Sequence, residues 1–258
     1  MYTPEAIAEL QRDFAGVEQK YHALLLHYAQ RQYRTVRGKE FATQGFLRRL
    51  GTLKRCIQNV FQYLPPEFKG IPDADTLADT TIALQAFLFN IFGCLDNLAW
   101  IWVEEKDLRK PDGKPLPWNW VGLGSKYTTV RRSFTQEFRD YLATRKDWFS
   151  HLENYRNALA HRIPVYIPPH CVDPTNRARY DELENLISIE VLAGNAQAEV
   201  QHRAEQESLK FFRPWMKHSF EENSPIGIIH QQMLIDFVTI EEFAWRIRDQ
   251  LDQLAQRH

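Results

Sequence analysis

The run Arg156-Asn157-Ala158-Leu159-Ala160-His161 places a permanent cation, an amide and an imidazole on one short stretch of chain. An arginine offers a planar, two-pronged donor that matches the oxygens of a phosphate. A histidine can take up and return a proton near neutral pH. Together they suit phosphate chemistry without a metal. The guanidinium would offset developing charge, and the imidazole would supply proton transfers worth about 10²–10⁴-fold in rate. The same residues also suit a simpler role, a solvated helix end finished by a histidine that favours the carbonyl terminus.

The flanking residues say how such groups are held. At about 100° per residue, a helix over 146–162 puts Trp148, Leu152, Tyr155 and Leu159 on one side and Asn154, Asn157 and His161 on the other. Arg156 falls on the flank, about 140° around from His161 on an ideal helix. Joint action then needs the long arginine side chain, a loosened last turn or a second copy of the helix. Pro164 biases Ile163 away from helical geometry, which puts His161 in the terminal turn. The helix dipole there favours an imidazolium, while Arg156 and Arg162 oppose it, so the two influences on His161 work against each other.

Four apolar stripes with alternating steps of three and four residues supply the scaffold. They run Ile7-Leu10-Phe14-Val17-Tyr21-Leu24-Tyr28, Phe46-Leu50-Leu53-Ile57-Val60-Leu64, Leu84-Leu88-Ile91-Leu95-Leu98-Trp102 and Phe237-Ile240-Ala244-Ile247-Leu251-Leu254. Thr3 and Pro4 form a cap and first turn for the first, and Pro65-Pro66 stops the second. No strand alternation competes, so an all-α bundle of four long helices is expected. The third helix also carries Phe87, Phe89, Phe92, Ile101 and Val103, which marks it as central. Its stripe of Ala83, Ala86, Asn90, Gly93 and Asn97 would admit a close neighbour.

Two additions interrupt the bundle. The segment 108–127 is rich in proline and glycine and holds Trp118 and Trp120, too apolar for a solvated linker. Shorter helices are expected over 130–144 and 146–162. The segment 163–229 opens with prolines, continues as a polar helical hairpin (176–193 and 196–209) and closes with FFRPWMKHSFEENSP. The fourth bundle helix follows it, so one domain over 1–258 with 163–229 inserted is expected.

Asp96 and Asn97 lie in the middle of the most apolar helix, where a buried carboxylate needs partners. Two readings stay open: a core polar network that fixes helix register, or groups that hold Arg156 and its helix in place. Asn154 and Tyr155 are further candidates for that supporting role. His218, in an aromatic segment, is either structural or an addition to the site. None of the nine histidines pairs with another His or Cys at helical ligand spacing, so no metal or cofactor is expected.

The order Arg-Asn-x-x-x-His, late in a helical bundle whose central helix bears LDNLAW, resembles the signature of HEPN domains, the higher eukaryotic and prokaryotic nucleotide-binding family. The resemblance covers the bundle, about residues 3–162 and the last helix, and leaves 163–229 unexplained. It implies a homodimer in which two motifs share one cleft, and a metal-independent endoribonuclease. Arg156 would bind and polarise the scissile phosphate, Asn157 would orient the site, and His161 would serve the ribose 2′-OH and the leaving 5′-oxygen. Products would be a 2′,3′-cyclic phosphate and a 5′-hydroxyl, in a toxin–antitoxin or anti-phage setting with a possible antitoxin partner. The rival is a non-catalytic helical module that binds a nucleotide or a protein through the same face. A purely structural dimerisation domain would use that face for packing alone.

Composition narrows the classes. With 44% hydrophobic residues the chain can bury a full core, and a net charge of -1 excludes a broadly basic nucleic-acid coat. Any nucleic-acid contact must be local, drawn from Arg31/Arg34/Arg37/Lys39, Arg48/Arg49/Lys54/Arg55 or Arg131/Arg132. Cys56, Cys94 and Cys171 form no CxxC pair and read as free thiols in a reducing compartment. The opening MYTPEAIAELQRDF has no basic region followed by an apolar core, so no signal peptide is expected, and Gln85, Asn90, Asp96 and Asn97 break the one membrane-like run. A cytoplasmic location without membrane contact is expected.

Overall fold

The computed structural model describes residues 2–222 and 226–255, and the fold is all-α. Helix α1 spans Pro4–Gln30, a short α2 Val36–Glu40, α3 Leu47–Tyr63 and α4 Ala74–Lys106. Then come α5 (Thr128–Arg132), α6 (Gln136–Thr144), α7 (Lys146–His161), α8 (Arg177–Ala193), α9 (Ala196–Ser208) and α10 (Ile229–Ala255). Three residues of the expected closing segment of the insertion, 223–225, lie outside the described residues.

Each long helix forms where its stripe and its end signals agree. The Thr3 hydroxyl accepts from the Ala6 amide at 3.2 Å, and Pro4 occupies the first turn without wasting a donor. Leu10, Val17, Leu24 and Tyr28 then face inward. The Tyr28 hydroxyl donates to the Ala244 carbonyl at 2.7 Å and fastens α1 to α10. Asp73 caps α4 by accepting from the Thr76 amide at 2.7 Å, and α4 ends at Asp107 in a left-handed conformation (φ 53°).

Helix α4 is central, packed against α2, α3, α7 and α10. By length and composition it is the one described helix apolar enough to cross a membrane, yet most of its apolar residues are covered by its neighbours. Its small-residue stripe is used as expected. Gly45 lies against Asn97, and the Arg49 guanidinium lies across Gly93 with Nη1 donating to Asn90 Oδ1 at 3.1 Å.

Three features depart from the sequence reading. First, Phe41–Phe46 forms a π-helical segment that joins α2 to α3 without a break. Glu105, near the end of α4, is buried and accepts from the Arg34 and Thr35 amides (2.8 and 3.1 Å) and from the Thr35 hydroxyl. Gly38 is required beside it, since a Cβ there would sit 2.3 Å from Glu105 Oε1. Second, the expected helix over 130–144 divides into α5 and α6, because Thr135 caps α6 through the Phe138 amide. Third, Trp118 and Trp120 are exposed, although Trp118 leans on Trp100 at 4.6 Å between ring centres. Leu116, Val121 and Leu123 anchor their loop instead.

The insertion adds the α8–α9 hairpin, turned at Gly194 (φ 69°), and two short antiparallel ladders. These pair β1 (Cys171–Val172) with β2 (Lys210–Phe211) and β3 (Trp215–Met216) with β4 (Gly227–Ile228). The hairpin is less polar than its sequence suggests, with Ile189, Val191, Leu192 and Val200 exposed. Cys56 and Cys94 are buried free thiols, and Cys171 is half-buried.

Candidate functional site

Helix α7 is anchored by Leu152, Tyr155 and Ala158, all buried, with Trp148 and Leu159 packed at the edge of the core. Beyond the helix, Val165 and Ile167 turn back into the core, and Gln85 of α4 donates to the Val165 carbonyl at 2.7 Å. Arg162 grips the helix from outside, donating to Asn154 Oδ1 at 2.9 Å and to Glu222 at 2.8 Å. His161 is therefore held in the last turn, as Pro164 implied, and its side chain is exposed.

Arg156 lies over the Phe92 ring of α4, 5.7 Å from the ring centre, and its Nη1 donates to Asn157 Oδ1 at 3.2 Å. Such a contact with an aromatic face orients a guanidinium without neutralising it. Among the described residues Arg156 makes no ion pair, whereas Arg145 and Arg162 at either end of the same helix each hold a carboxylate. Asn157 is half-buried. Arg156 and His161 are not brought into contact within one chain, which agrees with their separation around the helix.

The supporting candidates divide. Asp96 was expected in the core; it is instead exposed, because α4 keeps one open line along Phe89 and Asp96 between its neighbours. Among the described residues it has no hydrogen bond or ion pair. The surrounding walls push its carboxyl above the usual range, and Arg156, Arg49 and Lys126 pull the other way. Asn97 turns from α7 towards Gly45, its Oδ1 buried without a hydrogen bond, so it does not hold Arg156. Asn154 supports the helix end through Arg162. Tyr155 is fully buried against His151 and His218, and burial raises its phenol to about 12. His218 is only 1% exposed, and burial lowers its pKa. It belongs to this packed layer rather than to the open face.

Residues that motif reading did not join complete the site. Asp96 and Phe92 line a recess of about 110 Å³ beside Arg156, walled by Leu95, Leu123, Tyr127 and Phe149. Lys126, Arg131 and Lys146 contribute three cations to it, against Asp96 and Glu153. Lys126 is paired with Glu153 at 3.0 Å. Arg131 is half-buried, burial lowers its pKa, and among the described residues it has no carboxylate or side-chain hydrogen bond. With Arg49 and Arg156 these groups make a positive face on a nearly neutral protein, suited to a multiply charged anion. Arg49 and Arg131 belong to basic clusters visible in the sequence. Lys126 and Lys146 carried no signal beyond their charge.

A larger depression lies elsewhere, an 870 Å³ groove between α1 and α10 floored by Leu10, Val17 and Leu234. It shares no residue with the Arg156 face. Comparison of the chain with protein-family models, with curated proteins and with solved structures finds no match.

Proposed function

We propose that this protein is a metal-independent endoribonuclease of HEPN type, acting as a homodimer whose two α7 motifs share one cleft. Arg156 binds the scissile phosphate, Asn157 steadies the guanidinium, and His161 carries the protons. The products are 2′,3′-cyclic phosphate and 5′-hydroxyl ends, and the setting is toxin–antitoxin or anti-phage defence. The observation that carries this reading is Arg156 itself, an exposed guanidinium braced on Phe92, without an ion pair among the described residues, and acting on Asp96 together with Arg49 and Lys126. Arg145 and Arg162, at the two ends of the same helix, each hold a carboxylate, whereas Arg156 between them rests on an aromatic ring. An arginine kept for phosphate is best left unpaired.

A second reading, a non-catalytic binding module, draws on the separation of Arg156 from His161 within one chain. Incubation of mixed RNA with the protein in EDTA, beside His161→Ala and Arg156→Ala variants of confirmed fold, decides between them. Cleavage by the unaltered protein alone, leaving 5′-hydroxyl ends, supports the enzyme. RNA binding without cleavage supports the module. Light scattering that finds only monomers at assay concentration counts against the shared cleft.

A further inference from the structure

We propose that the groove between α1 and α10 is a docking site for an amphipathic α-helix of another protein, seated with its apolar side on α10 and a row of lysines or arginines along α1. The two walls carry matching repeats. Along α10, Ile228 at its threshold, Gln231, Ile235, Val238 and Glu242 recur at alternating steps of three and four residues. Along α1, Ala6, Glu9, Asp13, Gly16 and Lys20 do the same. That spacing is the seam into which a third helix sets its side chains. Each wall runs about four turns, roughly 21 Å, so the occupant is a helix of at least that length.

The seam is open. Leu10, Val17 and Leu234 close its floor, while Ile235 is 49% exposed and Ile228 39%. Isoleucines left to water on a helix-spaced line, beside 870 Å³ of free space, make a groove that accepts the apolar side of a helix. Gly16 adds an independent sign. In the middle of a 27-residue helix a glycine costs about 0.5–1 kcal/mol relative to alanine. Gly38, Gly45, Gly93 and Gly122 each have a neighbour that a Cβ would strike, but a Cβ at Gly16 would meet only Lys20 Cε, at 4.0 Å. Nothing among the described residues needs the missing side chain. A helix laid in the groove would, because a bare backbone lets it come close.

Charge selects the occupant. Lys20 is paired with Glu241 at 2.5 Å and Arg145 with Glu242 at 2.7 Å, which neutralises that end of the groove. At the other end Glu9 and Asp13, one turn apart, have no ion pair among the described residues, and Arg12 beside them offsets only one of the two. A cationic flank on the incoming helix answers them. A second copy of this chain does not. The exposed apolar pair Ile189 and Leu192 on α8 is accompanied by Glu182 and Glu190, which would meet Glu9 and Asp13 with like charge. The groove lies apart from Arg156 and His161, so the proposal does not rest on the ribonuclease reading.

Fluorescence anisotropy of labelled synthetic helices, about five turns long, on the full chain tests the site. One peptide has leucine at the heptad seam and lysine beside it. A second carries glutamate for every lysine, and a third has the first's composition in scrambled order. The lysine peptide should bind saturably and at least tenfold tighter than either of the others. Ile235→Asp, on a half-exposed side chain, and Gly16→Leu, which fills the groove, should each weaken it about tenfold. Gly16→Leu should also raise Tm or leave it unchanged, since leucine favours a helix over glycine, so its loss of binding is not a loss of fold. Glu9→Lys combined with Asp13→Lys should reverse the preference in favour of the glutamate peptide. No saturable binding, equal affinity for the three peptides, unchanged binding in both Ile235→Asp and Gly16→Leu, or a preference that the charge reversal does not move overturns the proposal. Light scattering covers the remaining case: a dimer of the unaltered chain that Gly16→Leu and Ile235→Asp both dissolve assigns the groove to a second copy and overturns it too.

Discussion

Helix α10 and helix α7 each carry polar side chains against the same core, and they treat them in opposite ways. On α10, His230 is fully buried and fully used. Its Nε2–H donates to the Leu64 carbonyl at 2.6 Å, since a carbonyl can only accept, so Nδ1 accepts from the Tyr2 hydroxyl at 3.0 Å. One ring ties together the start of α1, the end of α3 and the start of α10. Asp236, also fully buried, accepts from Trp148 Nε1 and Gln232 Nε2, both at 2.8 Å. On α7, Arg156 and His161 face solvent, and among the described residues neither has a charged partner. Hydrogen-bonded burial makes a polar group a constraint on the fold, while exposure without a partner leaves it available to a ligand.

The contrast is sharpest if activity and stability separate completely. Under the proposed reading, His161→Ala or Arg156→Ala lowers the rate of RNA cleavage by about 10²–10⁴-fold, equivalent to roughly 3–5 kcal/mol of transition-state stabilisation. Denaturant unfolding of the same variants should match the unaltered protein within about 0.5 kcal/mol. A large stability loss in either would mean that the face is part of the core after all. His230→Ala should do the reverse, leaving the Leu64 carbonyl and the Tyr2 hydroxyl without their partner at a cost of about 3 kcal/mol. Urea unfolding at pH 7 checks it, and a loss below about 1 kcal/mol would show that the three-way tie contributes little.

The two buried groups of α10 also pull stability in opposite directions with pH. Burial lowers His230 from 6.5 to about 4, so between those values the unfolded chain binds a proton that the native chain does not, and stability rises with pH. Burial raises Asp236 from 3.8 to about 7, so across that range the native chain holds the extra proton and stability falls as pH rises. Each fully developed slope is about 1.4 kcal/mol per pH unit, and the two oppose each other from about pH 4 to 6.5. Asp236→Asn should therefore expose a stability that increases through that window, and His230→Gln one that decreases. Parallel profiles for the two variants would refute the assignment.

The sequence marked out the two ends of this comparison unequally. The long helices were legible because apolar stripes, caps and stops agreed: Thr3 with Pro4, Leu64 before Pro65, His161 before Pro164. The π-helical stretch at Phe41–Phe46 was not, since its residues carry no signal distinct from an ordinary helix. Asp96 was misplaced for a similar reason. A helix apolar around most of its circumference suggests complete burial, and only the positions of α3, α7 and the 108–127 loop leave the line through Phe89 and Asp96 open. The motif supplied Arg156, Asn157 and His161, but the convergence of Arg49, Lys126, Arg131 and Lys146 depends on tertiary packing that spacing along the chain does not encode.

Asp96 supplies the smallest and most discriminating test, because it is set among cations that, among the described residues, it does not bond. If the open face is built for an anion, Asp96 is a local repulsion that a ligand must overcome. Asp96→Asn keeps the shape, removes the charge and should tighten binding of an uncleavable RNA about threefold at low salt, with the advantage shrinking as salt screens the face. Its unfolding free energy should hardly move, since no hydrogen bond is lost. The raised carboxyl adds a second check. As pH falls and Asp96 takes up a proton, the unaltered protein should approach the affinity of the variant, with His161→Ala used as the background for both. Weaker binding by Asp96→Asn, with the fold intact, would mean that the carboxylate positions Arg156 or Arg49 rather than opposing the ligand, and the face would then be organised by its anion as well as by its cations.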